Sequence, residues 1–282
     1  MREGIGNPLE VSNMEITNLT KNQIAGYLKK GKRFDERELL EYRPIKIEYG
    51  VSNKAEGSAS IKIGQTEVYA GVKLDVIEPY TNAEEEGTMM VTVELLPLAS
   101  EKFQSGPPSI QAIELARIVD RGIRESGMID FKKLCIKEGE KVWSVMIDLY
   151  PINDDGNLID ACALAAVAAL KNAVMPKLTE NNKVDYGNRT SKKLPLTEII
   201  PLTTTFYKIG DSIILDPDSR EEEAIEGRIS IAVSTDKKEN MVNAIQKGEE
   251  AAFTKEEIFY ILENAVKERE KLFKSVKEEL EK

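Results

Sequence analysis

Between Asp160 and Val174 the chain carries an alanine-rich stretch that is apolar nearly all round a helix, and a helix with no polar face has to be enclosed by other structure. This element sets the terms of the fold, because the remaining segments must cover it. Its longest run of small apolar residues, Ala161 to Leu170, is well short of the roughly 20 residues that cross a bilayer. No charged-then-apolar leader opens the chain, so the expectation is a cytoplasmic protein without membrane contact.

The covering material reads as sheet. Ile45, Ile47 and Tyr49 alternate with polar residues, and Ala59 to Ile63 and Glu67 to Leu74 flank Gly64-Gln65-Thr66 as a hairpin. Met89 to Leu96 continues the sheet, and Val142 to Leu149 is a further strand. Between them, Gly106-Pro107-Pro108 leads into a helix over about Ser109 to Ser126, with Ile110, Ile113, Ala116 or Arg117 and Ile123 at helical spacing. An earlier helix runs from roughly Lys21 to Lys30, with Thr20 and Gln23 as a capping box, after a loose start over Met1 to Ser12.

Residues 179–194 are polar and basic without a hydrophobic pattern, which reads as a surface loop between halves. Strands return at Phe206 to Ile209, Ile213 to Asp216 and Arg228 to Ser234, followed by a long helix opening at Thr254 with Glu257 in capping-box position. The hairpin phrase Lys62-Ile63-Gly64 has an echo in Lys208-Ile209-Gly210, a sign of two related α+β halves. The expected organisation is an N-terminal helical extension over 1–32, a first half over 33–178 and a second half over 179–282.

Composition narrows the chemistry. The chain contains no histidine, which removes Ser-His-Asp and Cys-His catalysis, His-based zinc sites and histidine bases together. Cys135 and Cys162 lie in apolar surroundings without metal-ligand spacing and read as reduced core thiols. Lys and Arg total 39 against 49 for Asp and Glu, a net charge of −10, so any contact with nucleic acid must be local rather than bulk electrostatic.

One local candidate stands out. Arg117, Arg121 and Arg124 sit at i, i+4 and i+7, on one stripe of the helix. Planar, permanently charged guanidinium groups in a row suit phosphate. Salt bridges to Glu114, Asp120 and Glu125 are the competing reading, and on the residues alone both stand. The acids Asp216, Asp218, Glu221, Glu222, Glu223 and Glu226 read either as solvated turn residues or as a magnesium site. Asp154-Asp155-Gly156-Asn157 reads as a tight turn before a helix or as a metal site. No Walker loop, dinucleotide fingerprint or nucleophile elbow occurs.

Further motifs carry a resemblance. Arg33-Phe34-Asp35, Arg43-Pro44-Ile45, Ala55-Glu56-Gly57-Ser58-Ala59 and Gly64-Gln65-Thr66-Glu67-Val68 resemble the opening of RNase PH-type proteins, a family of phosphate-dependent exoribonucleases. The likeness continues through Ile113 to Arg117, Asp154 to Gly156 and Gly227 to Val233. It implies an α+β RNase PH fold (ribosomal protein S5 domain 2-like) of two pseudo-repeated βαβα halves.

Active members of the family carry a Gly-Thr-Arg or Gly-Ser-Arg triplet after the Asp-rich turn, whose hydroxyl and guanidinium hold the attacking phosphate. Here Asn157-Leu158-Ile159 follows Gly156, and neither Leu158 nor Ile159 can replace those groups. A gap-free alignment from Asp216 places Arg228 at the family's aspartate, where a cation repels a metal ion. Glu222 falls at a second acidic position.

With both losses, the chain is similar to the non-catalytic RNase PH-like subunit of the archaeal exosome ring. That resemblance implies no catalytic residue, metal or cofactor in this chain, with phosphate and Mg2+ in the active site of a catalytic RNase PH-like partner. It implies a hexameric ring of alternating subunits and RNA-binding cap proteins. It also implies single-stranded RNA gripped by Arg117 and Arg121, with Arg124 a weaker third. Two alternatives remain at this point: an active phosphorolytic enzyme using Asp154, Glu222 and Glu226, and a purely structural ring subunit that touches no RNA.

Overall fold

A computed structural model of the chain describes residues 18–180, 182–237 and 239–280; the expectation for Met1 to Ser12 lies outside them. The first helix, α1, covers Asn18–Leu28. Thr20 lies inside this helix rather than at a cap before Lys21.

The first sheet is built from β1 (Ile45–Tyr49), β2 (Gly57–Ile63), β3 (Thr66–Ile77), β4 (Thr88–Val93), β5 (Cys135–Lys137) and β6 (Lys141–Asn153). Its order is β1-β2-β3-β6-β4, with β5 paired to β6. Among the described residues only the β4–β6 pair is parallel, and β4 ends the main row of strands. Helix α2 (Ile110–Arg124) connects β4 to the short β5 and long β6, and α3 (Leu158–Asn172) follows β6. Ala59, Ile61, Val68, Ala70, Val72, Ile147 and Leu149 are buried along one sheet face, and α3 packs on β2 and β3 there.

Next comes the hairpin β7 (Val174–Leu178) and β8 (Val184–Lys193). The polar segment expected as a loop is therefore largely strand. Most of β8 is exposed, so neither face had to carry the alternating apolar residues by which a half-buried strand is recognised.

The second sheet has the order β10-β9-β11-β12, from β9 (Leu202–Ile209), β10 (Ser212–Leu215), β11 (Gly227–Asp236) and β12 (Glu239–Gly248). Strand β12, absent from the sequence reading, is a largely exposed edge. The short α4 (Ser219–Glu222) joins β10 to β11. The two echoed phrases occupy equivalent corners: Ile63 pairs with Thr66 and Ile209 with Ser212 across two-residue turns. Gly64 and Gly210 adopt φ of 59° and 57° there, the left-handed conformation such turns demand.

Helix α3 also packs against β9, so it lies between the two sheets, and every residue from Leu158 to Leu170 is buried. That answers the demand of its sequence. The last helix, α5 (Lys255–Leu280), opens with the expected capping box: Thr254 Oγ1 accepts from Glu257 N at 3.2 Å and Glu257 Oε2 from Thr254 N at 2.7 Å. Ile261 and Ala265 join the core of the second sheet, whereas Leu272, Val276 and Leu280 join that of the first. Cys162 is buried and Cys135 partly so, both as free thiols.

Candidate functional site

Helix α2 is strongly two-faced. Ser109 caps it by accepting from Ala112 N at 3.2 Å, and Ala112, Leu115, Ile118, Val119, Gly122 and Ile123 are buried. The face turned outward carries Glu114, Arg117, Arg121 and Arg124. These arginines do not behave alike. Arg124 forks onto Asp120 through Nε and Nη2, at 3.0 and 2.7 Å, and Nη2 also donates to the Met89 carbonyl at 2.8 Å. Bonding to Asp120 raises its pKa further above the usual arginine range. Glu114 is taken by Arg228, whose Nη2 lies 2.7 Å from its carboxylate. Arg117 and Arg121 are exposed, and among the described residues no side-chain hydrogen bond or ion pair engages either of them. The competing salt-bridge reading thus describes Arg124, while two guanidinium groups are left uncommitted.

The second region is the head of α3. Asn157 holds a left-handed conformation (φ 59°) and is fully buried. Its amide nitrogen donates to Asp216 Oδ1 at 2.9 Å and to Asp160 Oδ2 at 3.2 Å, and its Oδ1 accepts from the Tyr207 hydroxyl at 3.0 Å. Its backbone N–H donates to Glu222 Oε1 at 3.0 Å. The N-terminus of a helix attracts anions, and here a carboxylate of the same chain takes that place. Burial and the neighbouring Asp154 push Glu222 up to about 7. Leu158 and Ile159 are buried in the core. They offer no donor to an anion, and the residues at this position do not fit a phosphate nucleophile.

Around this head lies an ionic cluster that the sequence reading did not assemble. Asp216, fully buried with φ 46°, accepts from Arg43 through N, Nε and Nη2 at 2.7, 2.9 and 2.8 Å, and from Arg37 Nη1 at 3.1 Å. Arg43 also donates to the Asp155 and Gly156 carbonyls, and Arg33 is paired with Glu221. Most of the remaining acids are likewise occupied, with Glu226 left exposed. Asp218 caps α4, Glu223 lies 3.0 Å from Lys102, and Ser219 donates to Asp155 at 2.8 Å. Among the described residues no group of three or more Asp, Glu, Cys or His is arranged to hold a metal.

Deeper still, Asp160 accepts from Tyr42, from Thr205 Oγ1 and from Thr205 N at 2.7, 2.7 and 3.1 Å. Burial lifts it to about 6 against these bonds. Arg228 is buried beside Tyr207, its cross-strand partner, and its Nη1 lacks a partner among the described residues. Gly248 opposite makes room for it, since a Cβ there would stand 2.4 Å from the guanidinium carbon. No described helix is long and apolar enough to cross a membrane.

Comparison with known proteins gives a consistent result. Residues 41–176 match the first domain of the 3′ exoribonuclease family, RNase PH, and residues 200–268 match its second domain. The exosome complex component Rrp42 of Pyrococcus horikoshii is 43% identical over 268 residues, 95% of this chain and 97% of the relative. Its counterpart in Methanothermobacter thermautotrophicus is 42% identical over 252 residues, 89% and 92% of the two chains. Among solved structures, the Archaeoglobus fulgidus exosome with RNA bound to the active site superposes with a TM-score of 0.81 at 39% identity, covering 90% of this chain and 98% of that one. An archaeal exosome core superposes with a TM-score of 0.79 at 34% identity, covering 94% and 97%.

Proposed function

This chain belongs to the RNase PH family of 3′ exoribonucleases, and from that membership we propose that it is the non-catalytic, RNA-binding ring subunit of an exosome. The reading is carried by one observation: the head of α3, where active relatives hold phosphate, is already occupied by the Glu222 carboxyl, which accepts the Asn157 N–H, and Leu158 and Ile159 follow it. Arg228, at the position of the family's aspartate, adds a cation where a metal would need a carboxylate. Phosphate and Mg2+ therefore belong to the active site of a catalytic RNase PH-like partner. Three copies of each alternate in a ring beneath RNA-binding cap proteins, in the cytoplasm.

In that assembly this chain supplies guanidinium groups to the backbone of single-stranded RNA. The uncommitted state of Arg117 and Arg121 supports that role. Arg124, already bonded to Asp120 and the Met89 carbonyl, contributes less. Contacts of this kind bind without reading base sequence, and two exposed arginines on an acidic chain keep the binding local.

The test is RNA shortening in phosphate and magnesium by this chain alone, by the catalytic partner alone and by the two mixed. Activity that appears or rises only on mixing is the expected result. Phosphate-dependent shortening by this chain alone would refute the reading.

A further inference from the structure

Beside Arg117 lies a cleft of 310 Å³ between the edge strand β4 and helix α2. Its walls are chiefly apolar: Met90 on the strand, Ile113 and Ala116 on the helix, and Pro108 in the loop before the helix cap. Met90 and Ile113 are 53% and 49% exposed, so neither is consumed by the core. The one acid in the lining, Asp120, is held by Arg124, and Glu114 farther along the helix is held by Arg228. Arg117, the remaining charged group lining the cleft, has no such partner among the described residues.

We propose that this cleft receives a nucleobase of single-stranded RNA whose phosphate is bound by Arg117. The inference rests on the reading of Arg117 and Arg121 as RNA-binding residues and deepens it from backbone contact to a base subsite. The volume is near the lower end of small-ligand sites, about 300 Å³, which suits one flat ring system rather than a folded ligand. A polarizable methionine thioether packs well on an aromatic face. Apolar walls with a neighbouring cation are what a nucleotide presents in complement: a π-face next to an anion. The match is to any base, because the lining side chains other than Arg117 and Asp120 have few groups that could read a hydrogen-bonding edge.

A larger groove of 1150 Å³ lies elsewhere on the molecule, beside Tyr69, Tyr150 and Tyr186. It is less suited to RNA: of its three lining cations Lys73 is paired with Glu56 and Arg189 donates to the Asn53 and Ala55 carbonyls, which leaves Lys54, and the carboxylate of Asp148 lines it as well.

The experiment is fluorescence anisotropy with the full chain, alone and mixed with its catalytic partner. Each is titrated with a short oligoadenylate and with an abasic oligomer of equal length. The proposal expects wild type to favour the base-bearing strand. It expects the double variant Met90→Ser, Ile113→Ser to weaken that binding about fivefold or more and to leave abasic binding unchanged. Equal affinity of wild type for both strands, or an equal loss for both in the double variant, overturns it. Loss of assembly with the partner without any base dependence also overturns it, and makes the cleft a seat for a neighbouring chain. If instead Arg117→Ala with Arg121→Ala leaves binding of both oligomers unchanged, the underlying RNA-binding reading fails.

Discussion

Glu222 accepts the backbone N–H of Asn157 at 3.0 Å, which puts a side chain from the second half of the chain on the positive end of a helix from the first. The carboxyl is lifted from an ordinary 4.5 to about 7 by burial and by Asp154. Folding therefore favours its protonated form. The associated stability is fully present below about pH 4.5 and is lost as the pH rises through about 7.

Glu222→Gln keeps an acceptor for the Asn157 N–H and removes the titration. Relative to wild type, the variant gains about 1–3 kcal/mol between pH 4.5 and 8, read from thermal melts across that range. Parallel pH profiles in the two proteins would exclude this account.

Asp216→Ala strips the buried guanidinium of Arg43 of its principal partner. Loss of one side of a buried ion pair costs about 3–5 kcal/mol, and here the Asn157 amide loses an acceptor as well. Urea unfolding should show a midpoint shift of that size. Arg43 and Asp216 are 173 residues apart, so the variant also loosens the union of the two halves.

What could be read from the sequence follows from what each residue has to bury. Ile45, Ile47 and Tyr49 alternate because β1 turns one half-buried side to the core, and the alanine-rich α3 is apolar all round because sheets lie on both sides of it. Strands β8 and β12 lie at exposed edges and carry no such record, so they were missed. The arginine stripe was legible as a stripe, since helical spacing alone places Arg117, Arg121 and Arg124 together. Which of them is free depends on the positions of Asp120 and the Met89 carbonyl, and the latter belongs to a strand distant in sequence. The ionic cluster was hidden for the same reason: Arg33, Arg43 and Asp216 are ordinary charged residues until the chain closes and shuts out water.

Gly156→Ala should be severely destabilising. Its φ of 84° disfavours any side chain, and a Cβ would stand 2.5 Å from the Pro217 carbonyl oxygen. Neither term can relax without moving the loop that carries Asp216. The expected loss exceeds about 2 kcal/mol and is measured by chemical denaturation.

Arg124→Ala separates structure from binding. It removes an exposed ion pair and a bond to the β4 backbone, so stability should fall by about 0.5–1.5 kcal/mol with little change in RNA affinity. Arg117→Ala with Arg121→Ala should do the reverse: melting stays near wild type while the salt dependence of RNA binding flattens by about 0.7 per lost phosphate contact. Salt titrations of both variants decide the assignment.

Helix α5 gives residues to both cores, Ile261 and Ala265 to one and Leu272, Val276 and Leu280 to the other. A ribosome makes this helix after both sheets. The first half therefore leaves the exit tunnel with part of its apolar interior still uncovered, and keeps it so until the final turns of α5 arrive. During that interval the nascent chain is an object for chaperones, and the emergence of α5, rather than completion of either sheet, is the event that closes the fold.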